Sequence, residues 1–304
     1  MRRLNQFSAV EWLRLAPLAQ VLRQVRNDAL LRFYQRVRPP RLDEFLTKNA
    51  DQAGKDLALV IAFDQPWVLD WLLTMAGKNL RGATVLVFDN SRTSEARQKI
   101  RDVCDRHGAP YLALPPYKTR HVNRSHGMAM SWIYHNVVRA IQPRAFGFPD
   151  HDLIPVNEVD FSERLREQPV FGLINTGNFN HWSTWAGYCF FRFDAVRSRQ
   201  MNFLYDFSRG LDTGGRNWNP LYRQLDRGQL RFASRDLVSV TLPSGESREQ
   251  VEFIDERWVH IGGVGYNENF KNKFHFFNGL KNALEAGASW DRLCTNRQPG
   301  KERA

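Results

Sequence analysis

From residue 57 the chain alternates short, continuous apolar runs with longer stretches whose apolar residues recur at helical spacing. Leu57-Ala-Leu-Val-Ile-Ala-Phe63 is apolar throughout and of strand length, which suits a strand covered on both faces. Asp64-Gln65-Pro66 then opens a helix carrying Trp67, Val68, Trp71, Leu72 and Met75, and Gly82 precedes a second buried strand, Ala83 to Phe88. After Asp89-Asn90-Ser91 comes a helix with Ala96, Ile100, Val103 and Cys104 on one face, ended by Gly108. A third strand over Ala109 to Leu114, a helix from about Ser125 to Ile141 and the run Ala145-Phe-Gly-Phe-Pro149 continue the series. Alternation of this kind predicts an α/β fold with a mostly parallel sheet flanked by helices. Ligands of such sheets collect beyond the C-terminal strand ends, where Asp64, Asp89 and Asp150 all fall.

The first 56 residues follow a different pattern. Ser8-Ala-Val-Glu11 reads as a capping box before Trp12, Leu13 and Leu15, and Pro17 breaks that short helix and enters the first turn of another. Leu18, Val21, Leu22 and Val25 give the second helix an apolar face, and Ser91 is expected to cap the helix that follows it. Arg32 and Arg36 fall on the same side as Leu18, so the N-terminal helix bends or stops before Pro39-Pro40. Two readings stand: a basic helical extension packed on the main body, or a device for peripheral contact with an anionic membrane through arginine and interleaved Trp, Leu and Phe.

Composition narrows the class. The 304 residues are 42% hydrophobic and 25% charged, with dispersed glycines and prolines, as in an ordinary globular protein of one large domain or two small ones. Cys104, Cys189 and Cys294 are too few and too widely spaced for a disulfide framework or a zinc pattern, so a cytoplasmic setting, peripheral on the inner membrane face at most, is the expectation. No long apolar run predicts a membrane span, and no signal peptide is expected. The net charge is +11, but residues 1 to 41 alone hold nine arginines against Glu11 and Asp28. Basicity concentrated at one end argues against a chain built throughout to follow nucleic acid.

The chemistry begins at Asp150-His151-Asp152. Two carboxylates two residues apart after a strand can grip Mg²⁺ or Mn²⁺, hard cations that are commonly held by one or two carboxylates plus substrate phosphates. The competing reading is a pair of acidic turn residues. Arg124 and His126, near a helix N-terminus, would suit a diphosphate. Asp89 and Asn90 can accept from, or donate to, a base or ribose.

Four segments together carry a resemblance: Ala62-Phe63-Asp64, Val87-Phe-Asp-Asn-Ser91, Asn123-Arg-Ser-His-Gly127 and Asp150-His-Asp152. In this order and spacing the chain, from about Leu57 to Tyr266, resembles a divergent, family-2-like nucleotide-sugar-dependent glycosyltransferase of the GT-A fold. The resemblance implies that Phe63, Asp64, Asp89, Asn90, Ser91, Arg124, His126 and Asp150 bind a nucleoside diphosphate sugar. It also implies Mn²⁺ or Mg²⁺ on Asp150 and Asp152, with His260 of Trp258-Val-His-Ile-Gly-Gly263 as a further ligand or diphosphate contact. Trp185-Ala-Gly187 resembles the stretch lying against donor sugar and acceptor. Asp212, before Thr213-Gly-Gly-Arg216, occupies the place of the catalytic base, with Arg216 on the acceptor side. The common Glu-Asp pair and the downstream Gln-x-x-Arg-Trp are missing, which leaves two readings of Asp212, a catalytic base or a residue of a glycine-rich turn. Because His260 with Gly263 also resembles a segment of retaining enzymes, inversion and retention both stay open.

On this basis residues 1–56 form a basic helical segment, 57–160 a nucleotide-sugar-binding half, 161–280 an acceptor and catalytic half, and 281–304 a C-terminal tail. Phe190, Phe191 and Phe193 are expected in a core strand. The implied activity is sugar transfer to a glycan or other hydroxyl acceptor, in surface-polysaccharide or glycan synthesis. The alternatives are a sugar nucleotidyltransferase, for which Asp64-Gln-Pro-Trp67 lacks the glycine-rich loop, and a non-enzymatic basic adaptor binding membrane or nucleic acid through its N-terminus, which leaves Asp150, Asp152 and Asp212 unexplained.

Overall fold

The computed structural model describes residues 6–117, 119, 121–160, 162–264 and 270–299. Residues 1–5 of the basic segment, Tyr266 and residues 300–304 therefore lie outside the described residues. The chain opens with α1 (Ala9–Leu13), α2 (Ala16–Gln35) and α3 (Leu42–Lys48). Ser8 and Glu11 form the reciprocal capping box, and Leu15 turns the chain between α1 and α2 with a left-handed φ of 54°.

The main sheet is built on β1 (Asp56–Ala62), whose seven residues are all buried. After α4 (Pro66–Asn79) and the short β2 (Leu80–Arg81), β3 (Ala83–Asp89) pairs parallel with β1. Then follow α5 (Ser94–His107), β4 (Tyr111–Ala113) and α6 (Val122–Ile133), which runs through one π-helical turn, Tyr134–Val138, into α7 (Arg139–Ile141). β5 (Ala145–Pro149) pairs parallel with the other side of β1. With neighbours on both edges and helices on both faces, β1 alternates between two cores. Leu57, Leu59 and Ile61 meet α3 and α6, while Val60 and Ala62 meet α4 and α5.

The second half departs from simple alternation. β6 (Leu153–Pro155) leaves the main sheet, and β7 (Val159–Asp160) pairs with β2. β8 (Val170–Thr176) and β9 (Trp182–Arg192) extend the main sheet to the order β4-β3-β1-β5-β9-β8, with only β9 reversed. A short α8 (Phe193–Val196) precedes a loop-rich stretch. β10 (Arg235–Thr241), β11 (Ser247–Ile254) and β12 (Trp258–His260) then form a second, antiparallel sheet, joined by β6 at one edge. α9 (Phe270–Glu285) and α10 (Trp290–Leu293) contribute to the core that covers it, and β13 (Cys294–Pro299) closes its other edge.

Three local expectations are corrected. Ser91 does not cap α5: the Thr93 side chain does, accepting from the Ala96 N–H, because Ser91 Oγ is already committed to the Asp64 N–H. Phe193 begins α8 rather than ending a strand, although it still packs on the core. α6 starts at Val122, three residues before Ser125, with the His121 ring accepting from the Arg124 N–H. The apolar face of α2 formed by Leu18, Val21, Leu22 and Val25 points away from the body. Those side chains are exposed, and Pro17, Asn27, Leu31 and Tyr34 are the buried residues of the helix.

Candidate metal and diphosphate site

Asp150-His151-Asp152 is the link by which the chain passes from the main sheet into the second one. Two pairings place its side chains. The Asp150 N–H donates to the Gly187 carbonyl at 2.8 Å, which fixes Asp150 against β9. In the antiparallel ladder of β6 and β12, Leu153 faces His260, which brings His260 beside Asp152. One ligand atom from each of Asp150, Asp152 and His260 lies within 4.8 Å of the others.

Charge binds this cluster together. His260 Nδ1 lies 2.7 Å from a Glu252 oxygen, and its Nε2 lies 3.6 Å from Asp152 Oδ1. Burial opposes a charged imidazole here, but the Asp152 and Glu252 carboxylates outweigh it and push His260 up to about 10. Burial likewise raises both carboxylates, and His260 overcomes it. Asp152 is held well below the usual carboxylate range, and Glu252, which also pairs with Arg235, is lowered to about 2.

The donor set fits a hard divalent cation. Two carboxylates and an imidazole converge, and the far ring nitrogen is fixed by a carboxylate, the arrangement that orients metal-bound histidines. Two further imidazoles stand close by. His126 Nε2 is 3.6 Å from Asp150 Oδ1, and neither it nor the buried His151 Nε2 has a hydrogen-bond partner among the described residues. Buried polar atoms left without a protein partner are rare and ask for a ligand or water.

The cluster forms part of the wall of a cavity of about 500 Å³. Phe63, Asn90, His126, Asp150, Asp152, Trp185, Gly187, Asp212 and His260 all line it. Asp64, Asp89, Ser91, Arg124 and Arg216 do not. Asp64 and Ser91 stitch the β1–α4 turn to the β3–α5 turn: Asp64 donates its N–H to Ser91 Oγ at 2.9 Å and accepts from the Arg92 N–H at 3.1 Å. Asp89 is fully buried and accepts from the Ser91 N–H and the Tyr111 hydroxyl. These bonds position Phe63, Asn90 and Arg92 at the cavity, with the Arg92 guanidinium 4.9 Å from the Phe63 ring centroid. Arg124 is held by Thr119 and by Asn27 of α2, and Arg216 by Asp28 of α2.

Asp212 accepts from Asn123 Nδ2 at 2.7 Å and from the Thr213 N–H at 2.8 Å, so one carboxylate oxygen is tied by two donors. Trp185 packs edge-on to His260, with ring centroids 5.1 Å apart. Sequence reasoning missed Arg92, Arg248, Glu252 and Lys273, which also line the cavity. Three of these are cations. Lys273 Nζ donates to the Ile261 and Gly262 carbonyls at 3.3 and 3.2 Å, beside His260. A basic residue in every third turn of a surface helix is unremarkable in a sequence, and only the closing of α9 over the second sheet gives Lys273 a place here.

No family model and no curated protein matches the chain. Several solved structures are similar to part of it. Mannosyltransferase PcManGT from Pyrobaculum calidifontis, in complex with GDP-Man and Mn²⁺, aligns over 62% of this chain and 60% of its own, at 9% identity and a TM-score of 0.37. S. aureus TarS aligns over 49% and 30%, at 12% identity and a TM-score of 0.34. Glucosyl-3-phosphoglycerate synthase from Mycobacterium tuberculosis, with Mn²⁺ and UDP-glucose, aligns over 53% and 63%, at 13% identity and a TM-score of 0.32. In each case the match spans less than two thirds of the solved chain.

Proposed function

We propose that this protein is a metal-dependent glycosyltransferase that moves a sugar from a nucleoside diphosphate to a hydroxyl acceptor. The observation that carries the reading is the convergence of Asp150, Asp152 and His260 in one cavity with Arg92, Arg248 and Lys273. A carboxylate pair with an imidazole accounts for a divalent cation, and the three cations account for a polyanion beside it. Neither alone asks for the other, whereas a metal-bound diphosphate asks for both.

Asp150, Asp152 and His260 would hold Mn²⁺ or Mg²⁺, which as a Lewis acid stabilises the negative charge that gathers on a departing diphosphate. Arg248 and Lys273 offset the same charge. Phe63 offers its ring to the base, and Asn90 its amide to base or ribose. Asp212, steadied by Asn123, takes the proton of the acceptor hydroxyl, a contribution of roughly 10² to 10⁴-fold. Trp185 gives the sugar an apolar face. A glycan of surface-polysaccharide or related synthesis is the acceptor class in this reading.

Calorimetric titration with a panel of nucleoside diphosphates, with and without Mn²⁺, tests it. Binding should require the metal and disappear in Asp152→Ala with the fold intact by circular dichroism. Metal-independent binding, or no binding by any nucleotide, would contradict the proposal.

A further inference from the structure

α2 turns an apolar stripe away from the body. Leu18, Leu22, Val25, Ala29 and Phe33 fall within an arc of about 80° at helical spacing, and this arc faces solvent. Leu22 and Val25 are each 62% exposed and Phe33 67%, and Leu13 of the adjoining α1 is 83% exposed. The packed face is mixed: Pro17, Leu31 and Tyr34 are buried on it beside Asn27, and polar side chains tie it to the body. Gln24 accepts from the Phe207 N–H, Asn27 donates to the Tyr205 hydroxyl, and Asp28 accepts from Asn202. An ordinary surface helix leaves no such apolar stripe in water. The outward face is therefore backed by these hydrogen bonds and by Leu31 and Tyr34, which pack into the main core.

Its flanks are cationic. Arg23 and Arg26 border the apolar arc on one side, Arg32 lies on the other, and Arg14 stands near its N-terminal end; all are exposed. Among the described residues none of these arginines pairs with a carboxylate. The only acids in residues 6–35 are Glu11, in the capping box, and Asp28, turned inward. The ridge runs about 22 Å from Leu18 to Phe33, at about 1.5 Å per residue, with Trp12 and Leu13 extending it. No helix of the described residues is long and apolar enough to cross a membrane.

We propose that the outward face of α1 and α2 docks this protein on an anionic lipid surface, the helices lying in the headgroup plane with the Leu18–Phe33 stripe inserted. A convex apolar ridge edged by arginine fits that surface, which accepts insertion of roughly 5–10 Å and attracts cations. A second copy of the chain fits poorly, since self-pairing across a two-fold axis would bring the same arginine flanks face to face. The inference stands on exposure and charge alone and does not depend on the glycosyltransferase reading.

Co-sedimentation of the full chain with phosphatidylcholine–phosphatidylglycerol vesicles, against pure phosphatidylcholine, tests it without an activity measurement. Binding is expected to require the anionic lipid. The double substitution Leu22→Glu and Phe33→Glu, at exposed positions that leave the fold intact, should lower the partition coefficient by on the order of tenfold or more. Arg23→Gln and Arg26→Gln should each lower it about fivefold. No pelleting with anionic vesicles, or pelleting unchanged by the double substitution, would overturn the proposal. So would a lipid-free dimer in light scattering that the double substitution dissolves, since the face would then be a protein interface.

Discussion

The Asp150 carboxylate lies directly over the backbone of Gly187, so that a Cβ at residue 187 would come within 2.3 Å of Asp150 Oδ2. The glycine in Trp185-Ala-Gly187 thus makes room for the Asp150 carboxylate and for the Trp185 ring, which lies 2.5 Å from the same position. Gly187→Ala should leave the strand ladder in place and swing the carboxylate out of the cluster. Mn²⁺ affinity, read by calorimetry, is expected to fall about as far as on loss of a supporting group, 10- to 100-fold, with a melting temperature close to wild type. An unchanged affinity would show that Asp150 has other room to occupy.

Glu252 touches His260, not the proposed ion. By holding Nδ1 at 2.7 Å it fixes the ring and leaves Nε2 toward Asp152. Glu252→Gln keeps the shape and removes the charge, so Mn²⁺ affinity should drop about 10- to 100-fold. Glu252→Asp should restore less than the full affinity, because a shortened side chain cannot keep the contact. Equal affinity in wild type and Glu252→Gln would mean the imidazole is oriented by packing against Trp185 instead.

The inner face of α2 holds two basic side chains away from the cavity lining, Arg216 through Asp28 and Arg124 through Asn27. Asp28→Ala removes the partner of Arg216 and of Asn202 together. We expect a cost of about 1–3 kcal/mol in urea unfolding. Amide exchange across residues 16–35 should rise more than in β1, because the loss falls on the helix docking rather than on the sheet.

Much of the first half was legible because a strand buried on both faces leaves a continuous apolar run, as Leu57 to Phe63 does, and Gly108 marks a helix end through its left-handed φ of 62°. The aspartates at the strand ends followed from the same topology. What stayed hidden depends on register and on which side the body lies. Helical periodicity showed that Leu18, Leu22 and Val25 share a face, but not that the face points away from the protein. Glu252 is one polar residue in an alternating strand, and only the β11–β12 register sets it opposite His260. Arg124 and Arg216 carry the right charge for an anion, yet α2 claims both, a contact about 100 residues or more distant in sequence.

Asp255 is buried at a left-handed φ of 50°, accepting from the Tyr188 hydroxyl at 3.2 Å. Burial raises its carboxyl above the usual value, more than Arg164 lowers it. A raised folded value means that its favourable contribution is complete below the unfolded carboxylate range and is lost as pH rises through the folded value. Asp255→Asn tolerates the same φ and never ionises. Its stability relative to wild type should therefore be greater at pH 7 than at pH 4 in urea unfolding; a difference independent of pH would refute this sign.

Arg144 and Asp56 join the start of β5 to the start of β1 by two parallel bonds, Nε to Oδ1 at 2.9 Å and Nη2 to Oδ2 at 2.7 Å. The Asp56 side chain is fully buried, while that of Arg144 is 62% exposed. Removing the arginine leaves a carboxylate that the sheet keeps from water, whereas neutralising Asp56 as well leaves no uncompensated charge. Arg144→Ala should cost about 2–3 kcal/mol in urea unfolding, reduced from a fully buried pair because solvent reaches the guanidinium side. Asp56→Asn combined with Arg144→Ala should recover part of that loss, giving a double-mutant coupling of about 1–2 kcal/mol. Strict additivity would show that the pair is an exposed contact of little weight, and that β1 and β5 are registered by their backbone ladder alone.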